Sequence, residues 1–165
     1  MTTLIILGGL PGNGKTALAR VLAKQLPAAH LRVDAIEQAL LAAGSFPDGV
    51  GPLGYVAAQR LAVENLRNGL CVVADSVNPV AASRAGWRAA AAEAGAPFLE
   101  VEVICSDTAE HRRRIETRAA DIPGHRQPTW ADVQVRDYEP WDAALVIDTA
   151  GLSSADAAAQ VIARL

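Results

Sequence analysis

A short segment near the start of the chain, GGLPGNGKT, carries residues whose types and spacing suit the binding of phosphate groups. The pattern of glycine, four residues, glycine, lysine, and serine or threonine is matched by Gly9, Gly14, Lys15 and Thr16. Glycines at these positions and at Gly12 would let the backbone curl so that amide groups point at phosphate oxygens. Lys15 would reach the terminal phosphates, and the Thr16 hydroxyl would ligate Mg²⁺. The segment therefore predicts a nucleotide site.

The surroundings of this segment separate a phosphate-binding loop from a glycine turn that contains a lysine by chance. The apolar run TLIILG precedes it, and the amphipathic pattern KTALARVLAKQL follows directly. A loop between a buried strand and a helix is the setting in which this pattern binds phosphate, since the helix adds the positive end of its dipole. The residues expected to contact the nucleotide here are Gly9, Gly12, Asn13, Gly14, Lys15, Thr16 and Ala17.

Two aspartates stand where parallel strands are expected to end. Asp34 follows the run AHLRV, and Asp75 ends the run LCVVAD. Because the carboxyl ends of parallel strands face the ligand crevice, both carboxylates should lie near the bound phosphates. One could orient the waters of Mg²⁺, and the other could accept the proton of an attacking hydroxyl. The structural alternatives are a helix N-cap for Asp34 and a turn with Ser76 and Asn78 for Asp75.

Arginines are concentrated in the segment EHRRRIETR and just beyond it. Arg114 and Arg118 are four residues apart and so lie on one face of a helix, while Arg126 lies in the following glycine- and proline-containing loop. Positive groups that close over a transferring phosphoryl group stabilise the charge on its oxygens. A solvated helix face paired with neighbouring glutamates is the alternative. We favour a lid that covers about residues 107–130.

Short apolar runs alternate with helical patterns along the chain, as in a parallel sheet covered on both faces. The expected strands are residues 3–8, 29–33, 70–75, 98–104 and 144–148. Among the helices between them, Pro27 ends the first and Gly95 caps a later one. Asp107 and Ser153 are expected to begin the last two. Two segments rich in glycine and proline are expected to be mobile loops, 44–54 and 121–130.

The bulk composition narrows the class of protein. A chain of 165 residues with 51% hydrophobic and 20% charged residues can bury one core, so we expect one domain over residues 1–165. A net charge of −3 disfavours nucleic acid as the main partner. Cys71 and Cys105 lie in apolar runs, which favours packing over a redox or metal role. Neither a signal peptide nor a membrane span is indicated, so we expect a cytoplasmic location.

Together these segments resemble the P-loop kinases of small molecules: the gluconate and shikimate kinase group, adenylylsulfate kinase and, above all, the chloramphenicol phosphotransferase type. GGLPGNGKT is similar to their phosphate loop, LRVDAIEQAL to the strand and aspartate that carry their base, and RRRIETR to their lid helix. The resemblance implies an α/β fold of three layers, the P-loop nucleoside triphosphate hydrolase fold. Its parallel sheet would have five strands in the order 2-3-1-4-5, with helices on both faces and a lid.

Carried over to matching positions, the resemblance implies a set of catalytic residues. Asp34 would be the base that acts on the acceptor hydroxyl. Lys15 would act on the terminal phosphates, and Arg118 and Arg126 would be the lid arginines.

The resemblance also implies nucleotide, metal and acceptor contacts. Arg114 would lie near the adenine, with Asp148 and Thr149 at its edge, and Arg118 would also contact the nucleotide. Asp75 would serve either the magnesium shell, together with Thr16, or the acceptor. Asp34 is a further expected acceptor contact, and placement along the chain, not the resemblance, adds Arg84. Placement alone suggests other candidates, each with an ordinary packing or surface role as the alternative: Glu37, Tyr55, Arg60, Trp130 and Trp141.

These observations predict an enzyme that uses ATP and Mg²⁺ to phosphorylate a hydroxyl of a small organic acceptor. Two alternatives stay open: a polynucleotide 5′-hydroxyl kinase, and a non-catalytic protein in which bound ATP orders the lid to present a surface. Polynucleotide kinases of similar fold carry an arginine where this chain has Gln38, which counts against the first alternative. Residues 125–142 depart from the general kinase pattern, and neither the acceptor nor the oligomeric state follows from the sequence.

Overall fold

The computed structural model describes residues 2–165, in which five strands alternate with seven helices. The strands are β1 (Leu4–Gly8), β2 (Ala28–Arg32), β3 (Cys71–Asp75), β4 (Phe98–Ile104) and β5 (Leu145–Asp148). The helices are α1 (Lys15–Gln25), α2 (Val33–Ala43), α3 (Leu53–Arg67), α4 (Ala81–Ala94), α5 (Thr108–Thr117), α6 (Trp130–Gln134) and α7 (Ser154–Ile162). None of the helices within residues 2–165 has both the length and the apolar character needed to cross a membrane.

The five strands form one parallel sheet in the order β2-β3-β1-β4-β5, which confirms the expected order. β1 occupies the centre and is buried along its whole length, because helices cover both faces of the sheet. β2 lies one residue earlier than expected, since Val33 already belongs to α2. At the carboxyl edge, Asp75 pairs with Leu7 on one side and with Arg32 on the other. The ends of β1, β2 and β3 therefore meet at one edge.

Two apolar cores, one on each face of the sheet, make this a three-layer α/β fold. Ile5 and Leu7 face a core that contains side chains of α1 and α7, whereas Leu4 and Ile6 face a core that contains side chains of α3 and α4. This alternation follows from the two-residue period of a strand. Trp87 of α4 is fully buried in the second core.

Several helix ends lie where local sequence signals predicted. Gly95 has a left-handed backbone, with φ of +67°, and ends α4. The Asp107 carboxylate accepts a hydrogen bond of 3.0 Å from the Glu110 amide, and the Ser153 hydroxyl accepts one of 3.1 Å from the Asp156 amide. These bonds satisfy amide groups that the first helical turn leaves unpaired.

Parts of the two segments expected to be loops are helical. α3 begins at Leu53, inside the first segment, and α6 begins at Trp130, the last residue of the second. A capping box fixes α6: the Thr129 hydroxyl accepts from the Asp132 amide at 3.2 Å, and the Asp132 carboxylate accepts from the Thr129 amide at 2.8 Å. A helix of five residues is too short for periodicity to reveal. The mobility of both segments stays a prediction.

Candidate active site

The connection between β1 and α1 is a loop in which three glycines adopt backbone angles that other residues rarely adopt. Gly9, Gly12 and Gly14 have φ of +137°, +83° and +94°. A Cβ at Gly9 would collide with the Val103 carbonyl oxygen, and one at Gly12 would lie 2.6 Å from Ile115 Cδ1. The loop can therefore lie this close to β4 and α5 only with glycine at these positions.

Hydrogen bonds to neighbouring segments fix the shape of this loop. Asn13 Nδ2 donates to the Val103 carbonyl at 2.9 Å, and the Thr149 hydroxyl donates to the Asn13 carbonyl at 2.9 Å. The Gly9 amide donates to the Val77 carbonyl at 3.0 Å. The Asn13 side-chain amide and the Gly9 backbone amide, which the sequence places among the nucleotide contacts, are thus used within the protein. Their observed contacts shape the loop.

Lys15 is buried at the start of α1, with 8% of its surface exposed. Its Nζ donates to the Leu10 carbonyl at 2.9 Å. Within residues 2–165 this is its one hydrogen bond, so two of its three N–H groups are available to a ligand. Burial lowers the pKa of Lys15 to about 8, although the Asp75 and Asp34 carboxylates oppose this shift. An anion held in the loop would favour the charged ammonium. The residue is suited to bind phosphate.

Asp75 lies beside Lys15 at the end of β3 and is 3% exposed. Its carboxylate accepts hydrogen bonds from the Thr16 hydroxyl and from His30 Nε2, the latter at 3.1 Å. Burial by itself would raise the pKa of Asp75, but these hydrogen bonds and the Lys15 charge lower it, so the carboxylate is ionised. An ionised carboxylate beside a hydroxyl offers the hard oxygen ligands that Mg²⁺ prefers.

The Thr16 and Asp75 oxygens fit a magnesium ion that also binds water and phosphate oxygens. In residues 2–165 there is no cluster of three or more histidine, cysteine, aspartate or glutamate residues able to hold a metal. A magnesium ion bound mainly by waters and substrate phosphates needs only one or two protein ligands. The two oxygens are therefore compatible with a metal that a nucleotide and waters would largely hold.

A cavity of about 780 Å³ opens beside the phosphate loop. Many of the side chains predicted to be functional line it: Lys15, Thr16, Asp34, Asp75, Arg114, Arg118 and Arg126. Other charged residues also line it: Glu37, which its placement along the chain suggested, and four that sequence reasoning missed, Arg20, Arg32, Asp121 and Arg136. The fold thus brings residues from distant parts of the chain to one cavity.

Asp34 lies in the first turn of α2, two residues after the N-cap residue Arg32. It is therefore not the N-cap, although a carboxylate in the first turn still interacts favourably with the helix dipole. The side chain is partly exposed, and no hydrogen bond occupies its carboxylate within the described chain. Its charge acts on Lys15 across the cavity. Both carboxylate oxygens are available to a ligand.

Arg114 is held between the large cavity and a smaller one of about 250 Å³. It donates to the Thr149 hydroxyl at 2.8 Å, to the Thr149 carbonyl at 2.9 Å and to the Glu110 carboxylate at 2.8 Å. The smaller cavity is lined by Gly14, Ala17, Leu18, Arg114, Thr149, Leu152, Ser154 and Ala157. Apolar walls with a planar guanidinium suit a heterocyclic base. Asp148 does not line this cavity. Its Oδ1 instead accepts hydrogen bonds from the Ser106 and Ala150 amides, both at 3.0 Å.

The two predicted lid arginines differ in their surroundings. Arg118 is the C-cap residue of α5, and its buried Nε has no hydrogen-bond partner among residues 2–165. Burial lowers the pKa of Arg118, and the nearby Asp34 carboxylate opposes that shift. Arg126 lies at the rim, with 84% of its side chain exposed and its NH2 atom 3.4 Å from Asp132. Arg118 is thus already placed inside the cavity, whereas Arg126 is not enclosed.

An ion-pair cluster that sequence reasoning missed ties the segment after α5 to the body of the protein. The Asp121 carboxylate accepts from Arg32 at 2.7 and 3.1 Å and from Arg20 at 2.6 Å. Hydrogen bonds from Arg32 lead the causes that lower the pKa of Asp121 to about 2. The two-residue period of β2 places His30 and Arg32 on the face of the sheet that packs against α1. This alternation in the sequence could have identified both residues as neighbours of the site.

The structure contradicts the expected contact between Arg84 and an acceptor. Arg84 is 3% exposed and does not line either cavity. Its guanidinium donates to the backbone carbonyls of Asn78, Pro140 and Glu139 at 2.9, 2.8 and 2.6 Å. It also lies 4.9 Å from the centre of the Trp141 ring. These hydrogen bonds use the Arg84 donors within the protein, and they join α4 to the segment before β5.

Several of the residues suggested by placement also lie away from the cavity. Arg60 is exposed and pairs with Glu93 at 2.7 Å. The Tyr55 hydroxyl accepts from the Asn78 amide at 3.1 Å, and Trp141 packs against Gly8. Glu37 does line the cavity, where burial and the Asp34 charge raise its pKa.

Comparisons with known proteins identify the family of this chain. Residues 4–134 match the AAA domain family. The chain is 35% identical to the adenylyl-sulfate kinase of Myxococcus xanthus (strain DK1622) over 109 residues, which is 61% of this chain and 56% of that protein. The chain thus spans little more than half the length of this curated relative.

Two solved kinases share the fold over nearly the whole chain. The APS kinase CysC of Mycobacterium tuberculosis, in complex with AMPPNP and APS, matches with a TM-score of 0.72, 21% identity, and coverage of 98% of this chain and 96% of that one. A gluconokinase from Sinorhizobium meliloti 1021 matches with a TM-score of 0.62, 15% identity, and coverage of 98% and 94%. The chain belongs to the AAA domain family of P-loop proteins, and its resemblance to small-molecule P-loop kinases is confirmed.

Proposed function

We propose that this protein is a kinase that transfers the γ-phosphoryl group of ATP, with Mg²⁺, to a hydroxyl of a small organic acceptor. The observation that carries this proposal is the position of the unoccupied Asp34 carboxylate in the same cavity as buried Lys15 and the Thr16–Asp75 pair. The candidate phosphate site and the candidate base thus line the same cavity. A cavity of about 780 Å³ suits a nucleotide phosphate chain with a small molecule beside it.

The phosphate loop and α1 would bind the nucleotide. When bound, Mg²⁺–ATP supplies the phosphoryl group and a positive charge that neutralises its oxygens. The loop amides and the Lys15 ammonium would hold the phosphates, while Thr16 and Asp75 would hold the metal. Arg114 and Thr149 would lie beside the base in the smaller cavity. This arrangement would fix the direction of transfer.

Asp34 would act as the base for the acceptor. Its carboxylate would accept a hydrogen bond from the acceptor hydroxyl and take the proton as the oxygen attacks. Arg118, whose buried Nε lacks a protein partner among residues 2–165, would donate to the phosphoryl oxygens as their charge spreads. Arg126 would join it when residues of about 107–130 close as a lid.

The relatives support a small acceptor, since their names identify kinases that act on small molecules. We extend the proposal to one domain over residues 1–165 and to a cytoplasmic location, where ATP and magnesium are available. The cavity lining adds Glu37 and Arg136 as candidate acceptor contacts.

Transfer from γ-labelled ATP tests the proposal. The protein and Mg²⁺ are incubated with a pool of hydroxylated metabolites, sugars and antibiotics, beside an oligonucleotide, and labelled products are separated. We expect a labelled small molecule that disappears with Lys15→Ala and persists with Lys24→Ala. Lys24 is a matched control because it is exposed on the same helix. Label on the oligonucleotide alone, or ATP binding without transfer to any acceptor class, would contradict the proposal.

A further inference from the structure

His30 occupies a position on β2 from which it reaches the candidate metal site. It pairs with Val73 of β3, so both side chains lie on the face of the sheet that packs against α1. Its Nε2 lies 3.1 Å from Asp75 Oδ2, and its side chain is 22% exposed whereas that of Asp75 is 3% exposed. Because an ionised carboxylate only accepts hydrogen bonds, the Nε2–H donates.

The orientation of the Asp75 carboxylate depends on two donors from different elements. The Thr16 hydroxyl approaches from α1, and His30 approaches from the neighbouring strand. A carboxylate buried this deeply is costly to leave without a partner, so removal of one donor favours rotation towards another polar group. Lys15, whose charge acts on Asp75, is close enough to attract it.

We propose that His30 is a positioning residue for the magnesium site. Its hydrogen bond holds Asp75 in the orientation that faces Thr16, and through Asp75 it sets the affinity of the nucleotide-bound site for Mg²⁺. The inference rests on the magnesium and nucleotide site of the proposed function. His30 does not line the cavity, so it acts without contact to nucleotide or acceptor. Partners of this kind typically change metal affinity by about 10- to 100-fold.

Binding of Mn²⁺, used as a probe for the magnesium site, tests this inference without any acceptor. Free Mn²⁺ is titrated by its electron paramagnetic resonance signal in the presence of saturating ADP, with wild-type protein, His30→Ala and His30→Gln. We expect His30→Ala to weaken Mn²⁺ binding by about 10- to 100-fold. Glutamine can place an N–H near the Nε2 position, so His30→Gln should stay within about threefold of wild type. ADP affinity measured in EDTA should be the same for all three proteins.

Two kinds of result would overturn the inference. Mn²⁺ affinity that changes less than about twofold in His30→Ala would show that Asp75 needs no such partner. An equal loss in both variants, or a parallel loss of ADP affinity in EDTA, would assign His30 to packing only. If His30→Ala does not fold, the comparison between His30→Gln and His30→Leu decides in the same way. A failed kinase proposal is distinguishable, because it leaves Mn²⁺ and ADP binding intact and abolishes only phosphoryl transfer.

Discussion

Replacing Gly12 with alanine tests how tightly the phosphate loop packs against α5. A Cβ at this position would lie 2.6 Å from Ile115 Cδ1 and 3.1 Å from His111 Cδ2. Both neighbours are buried, and His111 Nε2 is 2.7 Å from the Pro11 carbonyl oxygen. Neither side chain can therefore move away freely. The added methyl group must either distort the loop or displace α5.

The loss of unfolding free energy in Gly12→Ala has a backbone part and a packing part. Comparison with a second glycine, Gly69, separates the two. Alanine in the left-handed region costs about 1 to 2 kcal/mol, and overpacking in a filled site costs about 1 to 3 kcal/mol. Gly69 has the same φ of +83° as Gly12, but a Cβ there has nothing within 4 Å. Gly69→Ala should therefore show only the backbone part, and Gly12→Ala should show both.

Urea unfolding followed by tryptophan fluorescence measures these costs, and ADP titration measures the state of the loop. We expect the free energy of unfolding to fall by about 1 to 3 kcal/mol more in Gly12→Ala than in Gly69→Ala. We also expect ADP affinity to fall at least about tenfold in Gly12→Ala and to be unchanged in Gly69→Ala. Equal losses of unfolding free energy would refute the packing of α5 against the loop.

Two further predictions concern charge and buried hydrogen bonds. The pKa of Asp121 is lowered to about 2. Its ion pairs therefore stabilise the fold at pH values above the ordinary pKa of aspartate, and this stabilisation is lost as the pH falls through about 2. Asp121→Asn should lower the free energy of unfolding by about 1 kcal/mol at neutral pH, discounted for the partial exposure of the group, and urea titrations below about pH 4 should show this difference shrinking. A difference that is independent of pH would contradict the role of its charge. Trp87 Nε1 donates to Asn78 Oδ1 at 3.0 Å, whereas the buried Trp141 Nε1 has no partner among residues 2–165. Trp87→Phe should therefore cost about 1 to 3 kcal/mol more than Trp141→Phe in thermal or urea unfolding, and equal costs would argue against the Asn78 bond.

The sequence was sufficient for those features that depend on local pattern. The glycine spacing and the following lysine predicted the phosphate loop. The loop backbone has positive φ angles at residues 9, 12 and 14, and glycine adopts such angles most readily. Short runs rich in apolar residues predicted the strands to within one residue at each end. The carboxyl-end rule for parallel strands predicted that Asp34 and Asp75 share a cavity. The strand order itself came from the family resemblance.

Features that depend on contacts between distant residues could not be predicted in this way. Asn78 enters the sequence analysis only as part of a possible turn after Asp75, and its buried side chain also donates to the Leu7 carbonyl at 2.8 Å and accepts from Trp87. From its position on a helix, Arg84 could equally contact an acceptor or the protein itself. Only the fold shows that backbone carbonyls near Pro140 surround its guanidinium. The partners of Asp121, Arg32 and Arg20, are 89 and 101 residues away in sequence, and no local pattern indicates these pairings.

Phosphoryl transfer by Asp34→Asn, measured beside nucleotide binding, tests the central claim most directly. Asparagine keeps the size of the side chain and removes its ability to take a proton. We expect ATP affinity within about threefold of wild type and transfer to the acceptor reduced by about a hundredfold to ten-thousandfold. Normal transfer by Asp34→Asn would show that the proposed base does not act on the acceptor.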